Sequence, residues 1–307
     1  GPGKRLSELD EVTSDGIGEI HIESIEEIGR LKVLGRPVRA SLRINPVPSV
    51  QVGAMRMGGK PTAFGFDEED LETAVKAIAD ASNIDLVGVH IYGGTQILQA
   101  EALLQQWRHG IDIASRIAHL IETPLATIDL GGGLGIPYYA GEQPLDLDIF
   151  ASAILSLAEV LKTDRWLSNA KVIVEPGRFL TGAAGVYVTE VNAVKVSRGT
   201  RFLVTDGGMH HHLAASGNLG QVIKRSYPIV AATKMDDHQL YPATVAGPLC
   251  TPLDVLGRDV MLPDLAAGDY VAILQSGAYG LTASPANFLS HAPPAEVIAE
   301  GGGFRII

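Results

Sequence analysis

Residues 126–138 read ATIDLGGGLGIPY: a short apolar run, an aspartate, then glycine at four of the five positions 131–135. The run is too short for a helix and ends in residues without side chains. It reads as a buried strand whose C-terminal end opens into a turn that a ligand can approach closely. Runs of similar character occupy 18–23, 38–45, 86–92 and 171–175, and helical segments alternate with them at 67–81, 99–121 and 148–161. Short apolar strands alternating with helices specify a parallel sheet wrapped in helices. Polar residues and glycines gather at the C-terminal strand ends, at Arg43, 90–96, 131–135 and 175–178. That is the face on which a (β/α)8 barrel carries its active site.

The expected fold is therefore α/β, a (β/α)8 TIM-type barrel followed by an all-β C-terminal domain. Five strands are legible where a barrel needs eight, so the barrel is expected to be incomplete at its N-terminal part. After Gly185 the character changes. Runs at 186–196, 200–204, 227–232, 239–246 and 269–276 are β-rich, separated by turn signals and without helical periodicity. The domains are expected at 1–184, the barrel, and 185–307, the sheet.

Bulk properties narrow the function. The chain has 307 residues, 46% hydrophobic and 19% charged, with a net charge of −11 and no basic run to neutralise phosphates, which argues against nucleic acid as a partner. No apolar stretch approaches the roughly 18 residues of a membrane span. The single cysteine, Cys250, rules out an internal disulfide framework and fits a reducing, cytoplasmic compartment.

Three further motifs carry chemistry. Glu175-Pro-Gly-Arg178 places a carboxylate and a guanidinium three residues apart at a strand end, a structural ion pair or contacts to two ends of one ligand. Residues 245–254, VAGPLCTPLD, set Cys250 in a turn, and residues 276–280, SGAYG, do the same for Tyr279. The glycine-rich turn after Asp129 is by itself either a plain tight turn or an anion cradle. His210, His211 and His212 are consecutive and cannot all face one ion without a sharp turn, so no metal site is expected. Met55 and Met57 read as packing or loop residues.

In this order, over the whole chain, these motifs resemble the alanine-racemase-like (fold-type III) pyridoxal-phosphate decarboxylases, the group of diaminopimelate and ornithine decarboxylases. The resemblance implies pyridoxal 5'-phosphate as cofactor and decarboxylation through an external aldimine and a quinonoid. It implies that Glu175 pairs with the pyridine nitrogen and that Gly132, Gly133, Gly177, Arg178 and Tyr279 surround the phosphate. Residues 88–96, GVHIYGGTQ, resemble the family's Gly-Leu-His-Cys-His-Ile-Gly-Ser-Gln. His90 matches its first histidine, Tyr92 replaces the ring-stacking second one, and Thr95 replaces the phosphate-binding serine. Arg43, in Leu-Arg-Ile-Asn-Pro, matches a motif close to the ring. Cys250 and His90 are the candidate catalytic residues; Cys250 is expected to assist reprotonation from the partner subunit of a homodimer with shared active sites.

The resemblance also implies a Schiff-base lysine in an Ala-Val-Lys-Ala-Asn-like context, and Lys4, in Gly-Pro-Gly-Lys, does not match it. Either that segment lies upstream of Gly1, the favoured expectation, or the protein is a non-catalytic regulator. Diaminopimelate enzymes carry Glu after the cysteine and Arg-Pro-Ala-Leu-Tyr after Asp-Gly-Gly-Met. Here Thr251 follows Cys250 and HHHLAASG follows Met209. The wording instead resembles an exopolysaccharide- and carrier-protein-associated branch. The substrate is then an amino acid or a carrier-bound aminoacyl group, with Thr251, Asp254 and Met209 on its side, and diaminopimelate as the alternative.

Overall fold

The computed structural model describes residues 1–47, 61–219, 221 and 224–307, with the backbone alone of 55–56; Met57 lies outside the described residues. Two compact units are present. One comprises Gly1–Ile136 and Gln143–Pro176, the other Pro137–Glu142 and Gly177–Ile307.

The first unit is the barrel part. Five parallel strands lie side by side in chain order: β1 (Ile20–Ile22), β2 (Val38–Asn45), β3 (Ile84–Ile91), β4 (Thr127–Asp129) and β5 (Lys171–Ile173). Helices α1 (Leu6–Ser14), α2 (Ile25–Leu34), α3 (Leu71–Ala79), α4 (Ala100–Ile121) and α5 (Leu147–Thr163) alternate with them. The first two helices have no counterpart in the sequence reading. They are short, and α2 is defined by its ends: the Ser24 side chain accepts from the Glu27 N–H at 3.3 Å, and Gly35 stops the helix at φ 66°.

Side chains of β2 alternate between the two faces of the strand, although most are buried. Ala40, Leu42 and Ile44 are fully buried, and Ser41 and Arg43 project from the opposite face. On α4, Leu103, Trp107, Ile111, Ala114 and Ile117 recur at helical spacing and are all buried, and Trp107 meets Phe150 of α5 edge-on at 5.0 Å between ring centres. Each such side chain adds about 1.5–3 kcal/mol of burial. The apolar face holds the helices, which leaves the other face of the strands to polar residues.

The second unit opens on a short helix, α6 (Gly177–Thr181). Its six-stranded sheet is built from β6 (Tyr187–Ser197), β7 (Thr200–Thr205), β8 (Ile229–Ala231), β9 (Tyr241–Ala246), β10 (Val255–Leu262) and β11 (Tyr270–Ile273). The order is β8-β11-β6-β7-β9-β10, with β7 and β9 parallel and every other pair antiparallel. A separate hairpin pairs β12 (Val297–Glu300) with β13 (Gly303–Ile306). β10 and the hairpin were not anticipated: β10 carries Gly257, Arg258 and Asp259, which break up its apolar run. Among the described residues no helix is long and apolar enough to cross a membrane.

Candidate active site

Strand register decides which polar side chains meet in the first unit. Arg43 of β2 is partnered with His90 of β3, and His90 with Asp129 of β4; one row back, His21 of β1 is partnered with Ser41. Alternation puts these residues on the face away from the helices. Arg43 donates to Glu23 at 3.0 Å and lies 4.9 Å from the centre of the Phe64 ring. Lys4 is held by Glu27 at 3.0 Å.

The loops after β3, β4 and β5 are tied together through their backbones. Ile97 N–H donates to the Gly133 carbonyl and Gly135 N–H to the Ile97 carbonyl, both at 2.9 Å. The Gln96 side chain bonds both the carbonyl and the N–H of Ile136. Glu175 N–H donates to the Gly131 carbonyl at 2.8 Å. No side chain fits between these strands of backbone. A Cβ on Gly131 would lie 2.7 Å from the Ile91 carbonyl oxygen and 3.0 Å from the Tyr92 ring; one on Gly132 would lie 2.7 Å from the Glu175 carbonyl oxygen. Gly131 also has φ 65°, which glycine adopts without strain. The Tyr92 ring thus lies against the glycine turn, and Thr95 is buried nearby in chain on the same loop.

Electrostatics set this cluster apart. His90 is buried, and burial pushes its pKa down to about 3, so its ring is neutral. Its Nε2 lies 3.7 Å from the Glu175 carboxylate, which is half exposed. Asp129 is buried and its pKa is pushed up to about 6, chiefly by burial; the Gly131 N–H, donated to its Oδ1 at 2.9 Å, opposes that rise. His21, at 4.6 Å from His90 between ring centres, also has a lowered pKa through burial. The sequence reading picked out neither His21 nor Asp129 as a site residue: their common position is a matter of register between strands far apart in chain.

In the second unit, Arg178 of α6 donates to the Tyr138 hydroxyl at 2.8 Å, and its guanidinium lies 4.5 Å from the centre of the Tyr279 ring. Gly177 begins that helix. Tyr279 has φ 56° and a half-exposed ring. Its turn is anchored by Gly277 N–H to the Gly182 carbonyl at 3.0 Å and Ser276 N–H to the Gly185 carbonyl at 2.9 Å. Cys250 is a free, exposed thiol. Thr251 is half-buried beside it. Asp254, expected on the substrate side, is instead buried, and its carboxylate accepts from Met209 N–H at 2.6 Å and Leu249 N–H at 2.9 Å. Each oxygen accepts from a backbone N–H, so Asp254 braces the Met209 and Cys250 loops. Of the three consecutive histidines, His210 and His211 lie with ring centres 3.9 Å apart. His211 bonds Tyr187 and the Ala292 carbonyl, and His212 accepts from Ala215 N–H.

In the first unit, a half-exposed carboxylate and an aromatic ring laid against a turn with no room for side chains suit an aromatic heterocycle; in the second, taken by itself, an arginine flanked by tyrosines suits a phosphate. The residues fit pyridoxal phosphate on these grounds. Comparison with known proteins agrees. Residues 1–182 match the family described as pyridoxal-dependent decarboxylase, pyridoxal binding domain, and residues 138–277 its C-terminal sheet domain. Among curated proteins, the L-glutamyl-[BtrI acyl-carrier protein] decarboxylase of Niallia circulans is 38% identical over 314 residues, covering 100% of this chain and 73% of its own. A diaminopimelate decarboxylase of Methanothermobacter thermautotrophicus is 31% identical, covering 100% and 70%. Among solved structures, diaminopimelate decarboxylase from Helicobacter pylori complexed with L-lysine superposes with a TM-score of 0.84 at 25% identity, covering 100% and 74%.

Proposed function

The chain belongs to the pyridoxal-dependent decarboxylases, and from that premise we propose that its substrate is a carrier-bound aminoacyl group, of which glutamyl is the leading candidate. The enzyme is a pyridoxal-phosphate-dependent amino-acid decarboxylase. When bound, the cofactor supplies a protonated pyridine ring that takes up the electron pair left at the α-carbon as CO2 departs.

The chain's own residues divide the remaining work. Glu175 keeps the pyridine nitrogen protonated. Tyr92 would stack against the cofactor ring. By the family resemblance, Gly132, Gly133, Thr95, Gly177, Arg178 and Tyr279 would hold the phosphate through N–H groups, a hydroxyl, a guanidinium and a phenol. Arg43 is kept in place by Glu23 near the ring. Cys250 delivers the proton to the α-carbon in a homodimer with shared sites. The barrel domain spans 1–184 and the sheet domain 185–307, in a cytoplasmic enzyme.

The observation that carries the substrate assignment is Thr251 in the position where diaminopimelate enzymes place a carboxylate. A distal ammonium there would lose its partner, at a cost of about 1–3 kcal/mol or more. The α-amine and α-carboxylate of the substrate must both be free to react, so a carrier is attached through the distal carboxyl. The similarity to the glutamyl-carrier decarboxylase supports this reading, and the similarity to diaminopimelate decarboxylases keeps diaminopimelate as the second. Measuring CO2 release from carrier-bound glutamate, free glutamate, diaminopimelate, lysine and ornithine decides between them. Turnover of the carrier-bound substrate well above all free amino acids is expected; efficient turnover of diaminopimelate would overturn the assignment.

A further inference from the structure

His90 presents a problem that its own strand does not solve. The residue is buried, and neither ring nitrogen has a hydrogen-bond partner among the described residues. A buried polar atom left unpaired costs about 1–3 kcal/mol, so such a group is retained for a task. One acceptor lies almost within reach, the Glu175 carboxylate at 3.7 Å from Nε2. That carboxylate is half exposed and has room to close the remaining gap of about 0.5–1 Å.

We propose that His90, backed by His21 and Asp129, is a positioning residue that donates its Nε2 proton to Glu175 and holds that carboxylate toward the cofactor's pyridine nitrogen. The inference rests on the reading of Glu175 as the pyridine partner and adds to it what fixes Glu175 in place.

Three observations converge on it. A neutral imidazole has one donor and one acceptor. With Nε2–H committed to Glu175, Nδ1 must accept, and the donors at hand are His21 and the acid form of Asp129. Ligand atoms of His21, His90 and Asp129 all lie within 4.8 Å of one another. Second, the stacked His21 and His90 rings, at 4.6 Å, with Asp129 in the neighbouring strand, form a wall that restricts rotation of His90. Third, His90 stays neutral under burial, with the charges of His21 and Arg43 acting in the same direction. A charged imidazolium would compete with the pyridinium for Glu175; a neutral donor orients the carboxylate without cancelling its charge. Glu19, Glu175, Lys4 and Arg43 also act on the His21 ring, and Glu175, Glu19 and Arg43 on Asp129.

The test uses the full-length protein and two readouts apart from turnover. In cofactor-free protein labelled with 15N-histidine, NMR is expected to find His90 as the neutral Nε2–H tautomer down to pH 5. An Nδ1–H tautomer, an ordinary imidazole titration, or a shift of these signals on adding zinc ions would overturn the proposal. Equilibrium titration with pyridoxal phosphate then compares E175A, H90A and the double variant. H90A is expected to weaken binding about 10–100-fold, the range for a hydrogen bond to a charged group, and the double variant to bind no more weakly than E175A alone. Additive losses would overturn the coupling. An E175A variant with unchanged affinity would instead sink the reading of Glu175 itself. Should H90A fail to fold, H90Q and H90N replace it. Glutamine places its amide near Nε2 and is expected to retain affinity, while asparagine places its amide near Nδ1 and is expected to lose it; the reverse order would refute the proposal.

Discussion

The Asp254 carboxylate accepts a hydrogen bond from the backbone N–H of Met209 at 2.6 Å, joining two loops 45 residues apart in chain. Its other oxygen takes the Leu249 N–H at 2.9 Å. Asp254→Ala leaves two backbone donors without partners in a buried setting. The expected loss is about 2–4 kcal/mol of unfolding free energy, read from urea titration, together with a fall in activity as the Cys250 loop is released. A loss under about 1 kcal/mol would show that water or a neighbouring group replaces the carboxylate.

Gly132→Ala drives a methyl group to 2.7 Å from the Glu175 carbonyl oxygen. Backbone cannot yield as a flexible side chain does, so the Glu175 strand end must move. Pyridoxal-phosphate affinity is expected to fall at least about tenfold, equivalent to about 1.4 kcal/mol. Fluorescence titration measures it, and wild-type affinity would refute the close approach.

Arg178→Lys separates phosphate binding from ring binding. Lysine lacks the planar fork that bonds Tyr138 and lies over Tyr279. The variant is expected to lose about tenfold or more in affinity for pyridoxal phosphate, while binding of pyridoxal, which has no phosphate, is unaltered. Equal losses for both ligands would assign Arg178 a purely structural task.

Acid stability tests the buried histidines. His212 is pushed down to about 4 by burial, from an ordinary value of 6.5. The folded state refuses the proton that the unfolded state takes up. Stability is therefore fully present above pH 6.5 and is lost as pH falls from there towards 4. The loss approaches about 1.4 kcal/mol per pH unit for one such group. His212→Asn retains an acceptor for the Ala215 N–H, which His212 now accepts at Nδ1 at 3.2 Å. The variant is expected to flatten the dependence of Tm on pH between 6.5 and 4; an unchanged slope would show that other groups carry it.

Much of the barrel was legible because its signals are local. The run at 38–45 coincides with β2, and 99–121 with α4 to within one residue. The glycine turn and Glu-Pro-Gly-Arg are each a short unbroken motif, so their place at strand ends could be read directly. The His21–His90–Asp129 cluster could not, because it depends on which rows of three strands align. The direction of the Asp254 side chain is likewise beyond local signals. Its carboxylate turns back onto its own loop and onto Met209, and only three-dimensional structure shows which way a side chain turns.

The mutual backbone contact of the glycine turn and Glu175 has an evolutionary consequence. Two segments whose carbonyls and amides are interlocked, with no side-chain volume between them, cannot drift separately: a substitution in one needs a simultaneous answer in the other. Thr251 lies outside that interlock: it is half-buried, and its hydroxyl accepts from the Leu253 N–H of its own turn. Divergence towards new substrates is thereby channelled to Thr251, and directed evolution of this enzyme has a more permissive position there than at the glycine turn.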